Sequence, residues 1–251
     1  MTKILAIAKR EFRSYFNSPI AYIAITVFLV ITGVLFFVQG KFFEQNEASL
    51  RVLFQWVPVL FLAYIPAISM RLLSEEKRSG TIELLVTMPV TDWQIIWGKY
   101  LAGLAFLAVS LVMTLHFPLI VIANGSPDIG PIIGGYVGLF LIGALYLAVG
   151  LMSSTWTRNQ INAFIISLMI CGFFYFVGDF LAGPPPQGRS RLLYLLLVNF
   201  KAVFEYTSFK YHFHNIERGV IDTRNLVYFG TVVAFCLVVS AQSLAARKWR
   251  G

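Results

Sequence analysis

The chain has little charge. Asp, Glu, Lys and Arg make up 13% of its 251 residues, where an ordinary soluble domain carries about 25%. So few charges cannot clothe a large water-facing surface. Cysteine is equally scarce: Cys171 and Cys236 each lie inside an apolar run, which argues against a disulfide framework or a thiolate metal site. The phosphate cradle of ATP-hydrolysing chains is missing. Gly98-Lys99 is followed by Tyr100 instead of Ser or Thr, and Trp93 stands where the upstream glycine belongs, so the chain does not hold nucleotide by that device. Gly125-Ser126 is not set in a nucleophile elbow, and neither an HExxH helix nor paired intramembrane aspartates occur. A membrane hydrolase or prenyl transferase lacks its parts. His212 and His214 flank Phe213 with no third ligand at a chelating spacing, so they read as exposed neighbours in an aromatic belt before they read as a metal site.

What remains is apolar. Hydrophobic residues make up 58% of the chain, gathered into six runs long enough to cross a bilayer: Ile20–Val38, Val52–Met70, Ile95–Ala123, Ile132–Met152, Ile161–Leu181 and Leu226–Ala245. The expected fold is an all-α membrane protein of six transmembrane helices forming one domain over 1–251. Lys99 lies near the start of the third run, where its stem can snorkel to the interface. His116 and Asp179, in or at the end of a span, are candidates for a pathway or for local hydrogen bonds. The fourth run is rich in small residues, including Gly134 and Gly138 at GxxxG spacing, which suits close packing inside the subunit.

Ahead of the first span, residues 1–18 read as an interfacial amphipathic helix. Ile4, Leu5, Ala8, Phe12, Tyr15 and Phe16 make its apolar face, and Lys3, Lys9, Arg10 and Arg13 lie mostly elsewhere. The opening MTKILAIAKREFRSYFNS is too charged to be the apolar core of a signal peptide. Net charge is +8, and the basic residues are scattered near span ends. The positive-inside rule explains them better than nucleic acid does. With the N-terminus inside, the inner segments hold 12 of the 20 Lys and Arg residues, and most of the others fall in one long outer segment that weighs less. Both termini are therefore expected in the cytoplasm.

Two excursions leave the lipid. The outer one, 183–224, opens with Pro184-Pro185-Pro186, continues through the short apolar stretch 192–198 and ends rich in aromatics. It suggests helices dipping partway into the outer leaflet, or else a small folded cap. The inner one, 71–94, is the densest run of charge between two spans, RLLSEEKRSGTIELLVTMPVTDWQ. Gly80 is placed to end the helix leaving the membrane, and Thr81 to cap a new short one. Ile82, Leu85 and Val86 give that helix an apolar face, and Pro89 stops it. Asp92 is placed to cap the next span, with Trp93 and Trp97 at headgroup level. The segment reads as a short helix pressed against something cytoplasmic, or as a plain solvated loop.

Together, the basic amphipathic start, two spans, the loop EEKRSGTIELLVTMPVTDWQIIWGKYL, four more spans and the late ERGVIDTRNLVYF stretch resemble the permease subunit of type-2 ABC exporters. The resemblance covers essentially the whole chain and is nearest to the gliding-motility-associated branch. It implies a coupling helix over 81–88 seated on a separate cytoplasmic ABC ATPase, with Glu75, Glu76, Lys77, Arg78, Gly80, Thr81, Glu83 and Leu85 in the coupling contact. It implies a connecting helix bearing Lys9, Arg10 and Glu11 against the same ATPase. ATP and Mg would be bound by that partner and no cofactor by this chain. The complex would contain a second permease copy, alike or different, and in some relatives an accessory membrane subunit with a large outer domain. The setting would be the bacterial inner membrane. Spans two and five would line the cargo path, where Gln55, Tyr64, Ser69, Asn162, Ser167 and Tyr175 are the few polar candidates. So sparse a polar set also fits an ATP-powered mechanical or regulatory subunit that moves a partner protein; a membrane enzyme is disfavoured by the missing catalytic groups.

Overall fold

A computed structural model describes residues 2–40, 49–81, 90–180, 202–220 and 222–246. Among them every regular element is helical, and six helical bodies are long and apolar enough to cross a membrane. The expected six-span all-α membrane architecture is what the chain adopts.

Helix α1 (Thr2–Phe16) precedes α2 (Pro19–Val34). The entry to α2 follows from Ser18-Pro19: the Ser18 hydroxyl accepts the Ile20 N–H, and proline occupies the first turn, where its missing N–H costs nothing. The end of this span widens into a π-helical turn, Leu35–Gln39. Helix α3 (Arg51–Ser69) runs through Met70, itself in right-handed helical conformation, straight into α4 (Arg71–Ser79). The charges after Met70 therefore ride on a helical extension of the second span, and Gly80 ends it at φ 74°, as its lack of a Cβ permits. Residues 82–89, which include Glu83, Leu85 and most of the expected coupling helix, lie outside the described residues.

Helix α5 (Asp92–Met113) is capped by Thr91, not by Asp92. The Thr91 hydroxyl accepts the Gln94 N–H, and the Gln94 side chain accepts the Thr91 N–H. The third span is continuous in extent, Asp92–Asn124, but it kinks at Thr114-Leu115, where α5 gives way to α6 (His116–Asn124). Pro118 explains the kink. Its ring cannot sit against the Thr114 carbonyl one turn earlier, and it has no N–H to give that carbonyl. That carbonyl accepts the Phe117 N–H and the Tyr136 hydroxyl, both at 3.0 Å.

Helix α7 (Ile129–Trp156) is the axis of the bundle, and every residue from Ile142 to Thr155 is buried. Its glycines let neighbours close in. A side chain on Gly134 would strike the backbone of Ile216 and Gly219, one on Gly143 would meet Leu107 and Ile65, and one on Gly150 would collide with Ser69. The small residues of this span thus serve contacts within the chain. Helices α8 (Gln160–Phe180) and α10 (Thr223–Ala245) pack against α7, and a helical stretch over 202–207 and α9 (Phe209–Glu217) lie between them in sequence. Of the outer excursion, 181–201 lies outside the described residues. The rest is tied to the spans: the Ser208 hydroxyl donates to the Tyr175 carbonyl at 3.1 Å, and the Tyr228 hydroxyl to the Thr207 carbonyl at 2.6 Å. His212 is fully buried, not exposed, bonded to Asn225 and the Tyr206 carbonyl and stacked on Tyr228. His214 faces Glu217 and Arg218 instead, so the two rings serve separate networks. His116 and Asp179 are both exposed and locally satisfied, by the Met113 carbonyl and by Lys210 respectively.

A candidate coupling site at one end of the bundle

Three elements meet at the end of the bundle where α4 leaves the second span. Helix α1 lies along α5, pointing the same way over the contact. Ile7 and the Ile4 carbonyl sit where Gly98 has no side chain, and two turns further on Tyr15 and Phe16 meet the Phe106 ring, with centroids 5.2 and 5.9 Å apart. The inward face of α1 therefore includes Ile7 and Glu11, while Leu5, expected on that face, is 62% exposed.

Lys99 stands at the centre. Instead of snorkelling outward it turns inward and is 1% exposed, with its ammonium 2.7 Å from Glu76 Oε1 and 3.4 Å from Glu11 Oε1. One cation of α5 thus joins α1 to α4. Lys99 is buried, so the charge can be held there only because two carboxylates face it.

A second knot joins α4 to the far end of α7. The Ser154 hydroxyl accepts the N–H groups of Leu73 and Ser74, both at 2.9 Å, and donates to the Met70 carbonyl at 3.2 Å. The Lys77 ammonium donates to the carbonyls of Ser154 and Thr155. Those carbonyls belong to the last turn of α7, where backbone partners run out and a cation is favoured.

The expected coupling residues consequently divide. Glu76, Lys77 and Glu11 face inward and are engaged within the chain. Lys9, Arg10, Glu75, Arg78, Gly80 and Thr81 are exposed, with Arg10 bonded to Glu11 at 2.9 Å and Glu75 to Arg71 at 3.0 Å. Lys99, Arg71 and Ser154 belong to the site and were not singled out for it. The signal for Lys99 was available in part: a lysine seven residues into a span needs an anionic partner, but Asp92 and Glu83 are nearer in sequence than Glu76, so sequence does not pick the right one. Nothing in sequence marks Ser154.

Of the six polar residues expected along a pathway, Ser69 and Ser167 come together beside Gly150, inside the subunit. Ser69, Ser167 and Tyr175 are buried within the subunit, and Tyr64 is half-buried and bonded to Ser110 at 2.7 Å. Only Gln55 and Asn162 are exposed, the one near the start of α3 and the other near the start of α8. On Glu217, at the opposite end of the bundle, burial raises the carboxyl above its ordinary range, opposed by His214, Arg51 and Arg218.

The fold is thus a six-span helical membrane protein with a buried ion cluster around Lys99 at one end. Residues 5–246 match the model of the ABC-2 family transporter proteins, and the chain belongs to that family. It is a multi-pass membrane protein of the ABC transporter permease type, a membrane subunit of a class that normally lacks its own ATPase site, and membership implies a cytoplasmic ABC ATPase as partner. A comparison with curated proteins found no match.

Proposed function

We propose that this chain is the permease subunit of an ATP-driven exporter and that the end bearing Lys99 faces the ATPase from the cytoplasmic side of a bacterial inner membrane, with both termini inside. The observation that carries this reading is the ion cluster in which Lys99 joins Glu11 of α1 to Glu76 of α4. The two elements that would touch the motor are fastened to the same span, so force applied to either reaches α5. The exposed residues Lys9, Arg10, Glu75, Arg78 and Thr81 are the surface offered to the ATPase, together with 82–88. Glu11, Glu76 and Lys77 transmit instead of docking. ATP and Mg are held by the partner, and this chain binds no cofactor of its own.

Two copies, or this chain and a similar one, form the membrane part. The apolar ridge of α8, with Ile161, Ile165, Met169 and Phe173 exposed, is the face for that seam. The motif over 75–100 favours the gliding-motility-associated branch within the family, with an accessory membrane subunit as a further partner. Because most of the candidate pathway residues are withdrawn into the subunit, the seam is dry. That suits an apolar, lipid-like or peptide cargo, and equally a subunit that moves a partner protein.

The test is co-purification of the ATPase with the solubilised chain, together with ATP hydrolysis in the reconstituted complex. Arg78→Ala and Glu75→Ala lose the ATPase or its stimulation while the permease remains folded. Full binding and stimulation in both variants would reject the assignment.

A further inference from the structure

A cavity of about 700 Å³ lies between α1, the start of α2, the end of α3 and α5. Its two ends differ in chemistry. At one end stand the guanidinium groups of Arg10 and Arg71, whose side chains are 57% and 30% exposed, among the carboxylates of Glu11, Glu75 and Glu76. At the other end the walls are small or apolar: Ala21, Ala24, Ala67, Ile68 and Phe106.

The levels of these two ends matter. Trp93 and Trp97 are exposed on α5, as ring systems at a membrane–water interface are, and Lys99 is half a turn beyond Trp97. The charged end of the cavity is therefore at headgroup level. Phe106 lies seven residues past Lys99 on α5, which at 1.5 Å per residue puts the apolar end roughly 10 Å further into hydrocarbon. A segment of a soluble partner cannot be drawn to that depth without stranding its backbone polar groups. An acyl chain can.

We infer that this cavity is a phospholipid site: the phosphate is held by Arg10 and Arg71 beneath α1, and the upper acyl chain lies on the floor that Ala24 and Ala67 leave open. Both arginines keep N–H donors beyond those bonded to Glu11 and Glu75, and planar guanidinium groups suit phosphate oxygens. The three carboxylates balance the three cations of the lining, so a zwitterionic ethanolamine head, whose ammonium meets the exposed edge of Glu75, fits better than a net-anionic glycerol head. The volume is that of an ordinary ligand pocket and holds the head and the upper chain, with the lower chain passing out into the bilayer. The lipid would wedge α1 against α2 and α3. The site does not depend on the ATPase reading, because it requires only that these levels match the bilayer.

The test is native mass spectrometry of the purified chain without any ATPase, delipidated and then titrated separately with dioleoyl phosphatidylethanolamine and dioleoyl phosphatidylglycerol. The expected result is one tightly held phospholipid per chain, the ethanolamine lipid preferred. Ala24→Leu with Ala67→Leu fills the floor without touching a charge. It should weaken binding about tenfold, the share of roughly two buried methylenes. Arg71→Gln should weaken it as well, and Val30→Ala, at an exposed position elsewhere on α2, should not. Unchanged retention in the floor-filled variant, an equal loss in Val30→Ala, or tighter binding of the glycerol lipid would overturn the proposal. Failure here with ATPase binding intact leaves the permease reading standing.

Discussion

Removing Lys99 is the sharpest perturbation this structure invites. In Lys99→Met the side chain keeps nearly its length and loses its charge. Glu76 and Glu11, whose side chains are 17% and 16% exposed, are left facing a methyl thioether. Glu76 Oε2 is already buried without a hydrogen-bond partner, so this carboxylate has no second anchor to fall back on. Breaking a buried ion pair from one side costs about 3–5 kcal/mol, because the remaining charge stays desolvated. For a chain of this size roughly 2 °C of melting temperature follows each kcal/mol, so a fall of roughly 6–10 °C is expected. Thermal unfolding of the detergent-solubilised chain, followed by size exclusion after heating, reads this directly. The decisive comparison is the triple variant Lys99→Met, Glu76→Gln, Glu11→Gln. With no stranded charge it should recover most of the lost stability, since removing both sides of a buried pair is close to neutral. It should nevertheless fail to transmit ATPase stimulation. If Lys99→Met melts with the wild type, or if the triple variant is no more stable than the single one, Lys99 is not the buried tie described here.

Neighbouring lysine and arginine should behave oppositely. Lys77→Met strands the last carbonyls of α7 and should lower the melting temperature, while Arg78→Met, at an exposed position, should leave it unchanged and act only on ATPase stimulation in the reconstituted complex. Gly134→Ala places a methyl against the backbone of Ile216 and Gly219 and should cost about 1–3 kcal/mol in thermal unfolding by forcing α9 off α7. Because burial raises the Glu217 carboxyl, the folded state binds its proton more readily than the unfolded chain. The stabilising effect is then complete below the ordinary carboxylate range and fades as pH rises through the folded value. Glu217→Gln should flatten that part of the melting temperature profile, and an unaltered profile would remove Glu217 from the account.

The spans were legible because hydrocarbon tolerates so few charges: each expected span lies within a few residues of an observed helix. Helix punctuation was legible where one residue decides it, as at Pro19 and Gly80. Asp92 misled, because Thr91 beside it caps as well and has Gln94 at the reciprocal position. The kink in the third span was written in Pro118, but proline is tolerated inside α3 at Pro58 and Pro66, so its presence alone did not separate a kinked helix from a regular one. The site was half legible. Periodicity assigns a residue to a face of its own helix but does not say which partner that face meets. Glu75, Glu76, Lys77 and Arg78 look alike in a row, and only the approach of α5 and α7 turns Glu76 and Lys77 inward. Ser154 carried no signal at all, since its role lies in three backbone groups about eighty residues away.

The second span and its extension form a single rod, Arg51–Ser79, of 29 residues, pinned near Ser74 by the Ser154 hydroxyl. Mechanically that is a first-class lever with unequal arms. The arm beyond the fulcrum, from Ser74 to Ser79, is about 8 Å long, and the arm within the membrane, back to Arg51, is about 35 Å. A push of a single ångström on the short arm sweeps the far end by about four, at a quarter of the force. A device geared this way favours long travel over strength.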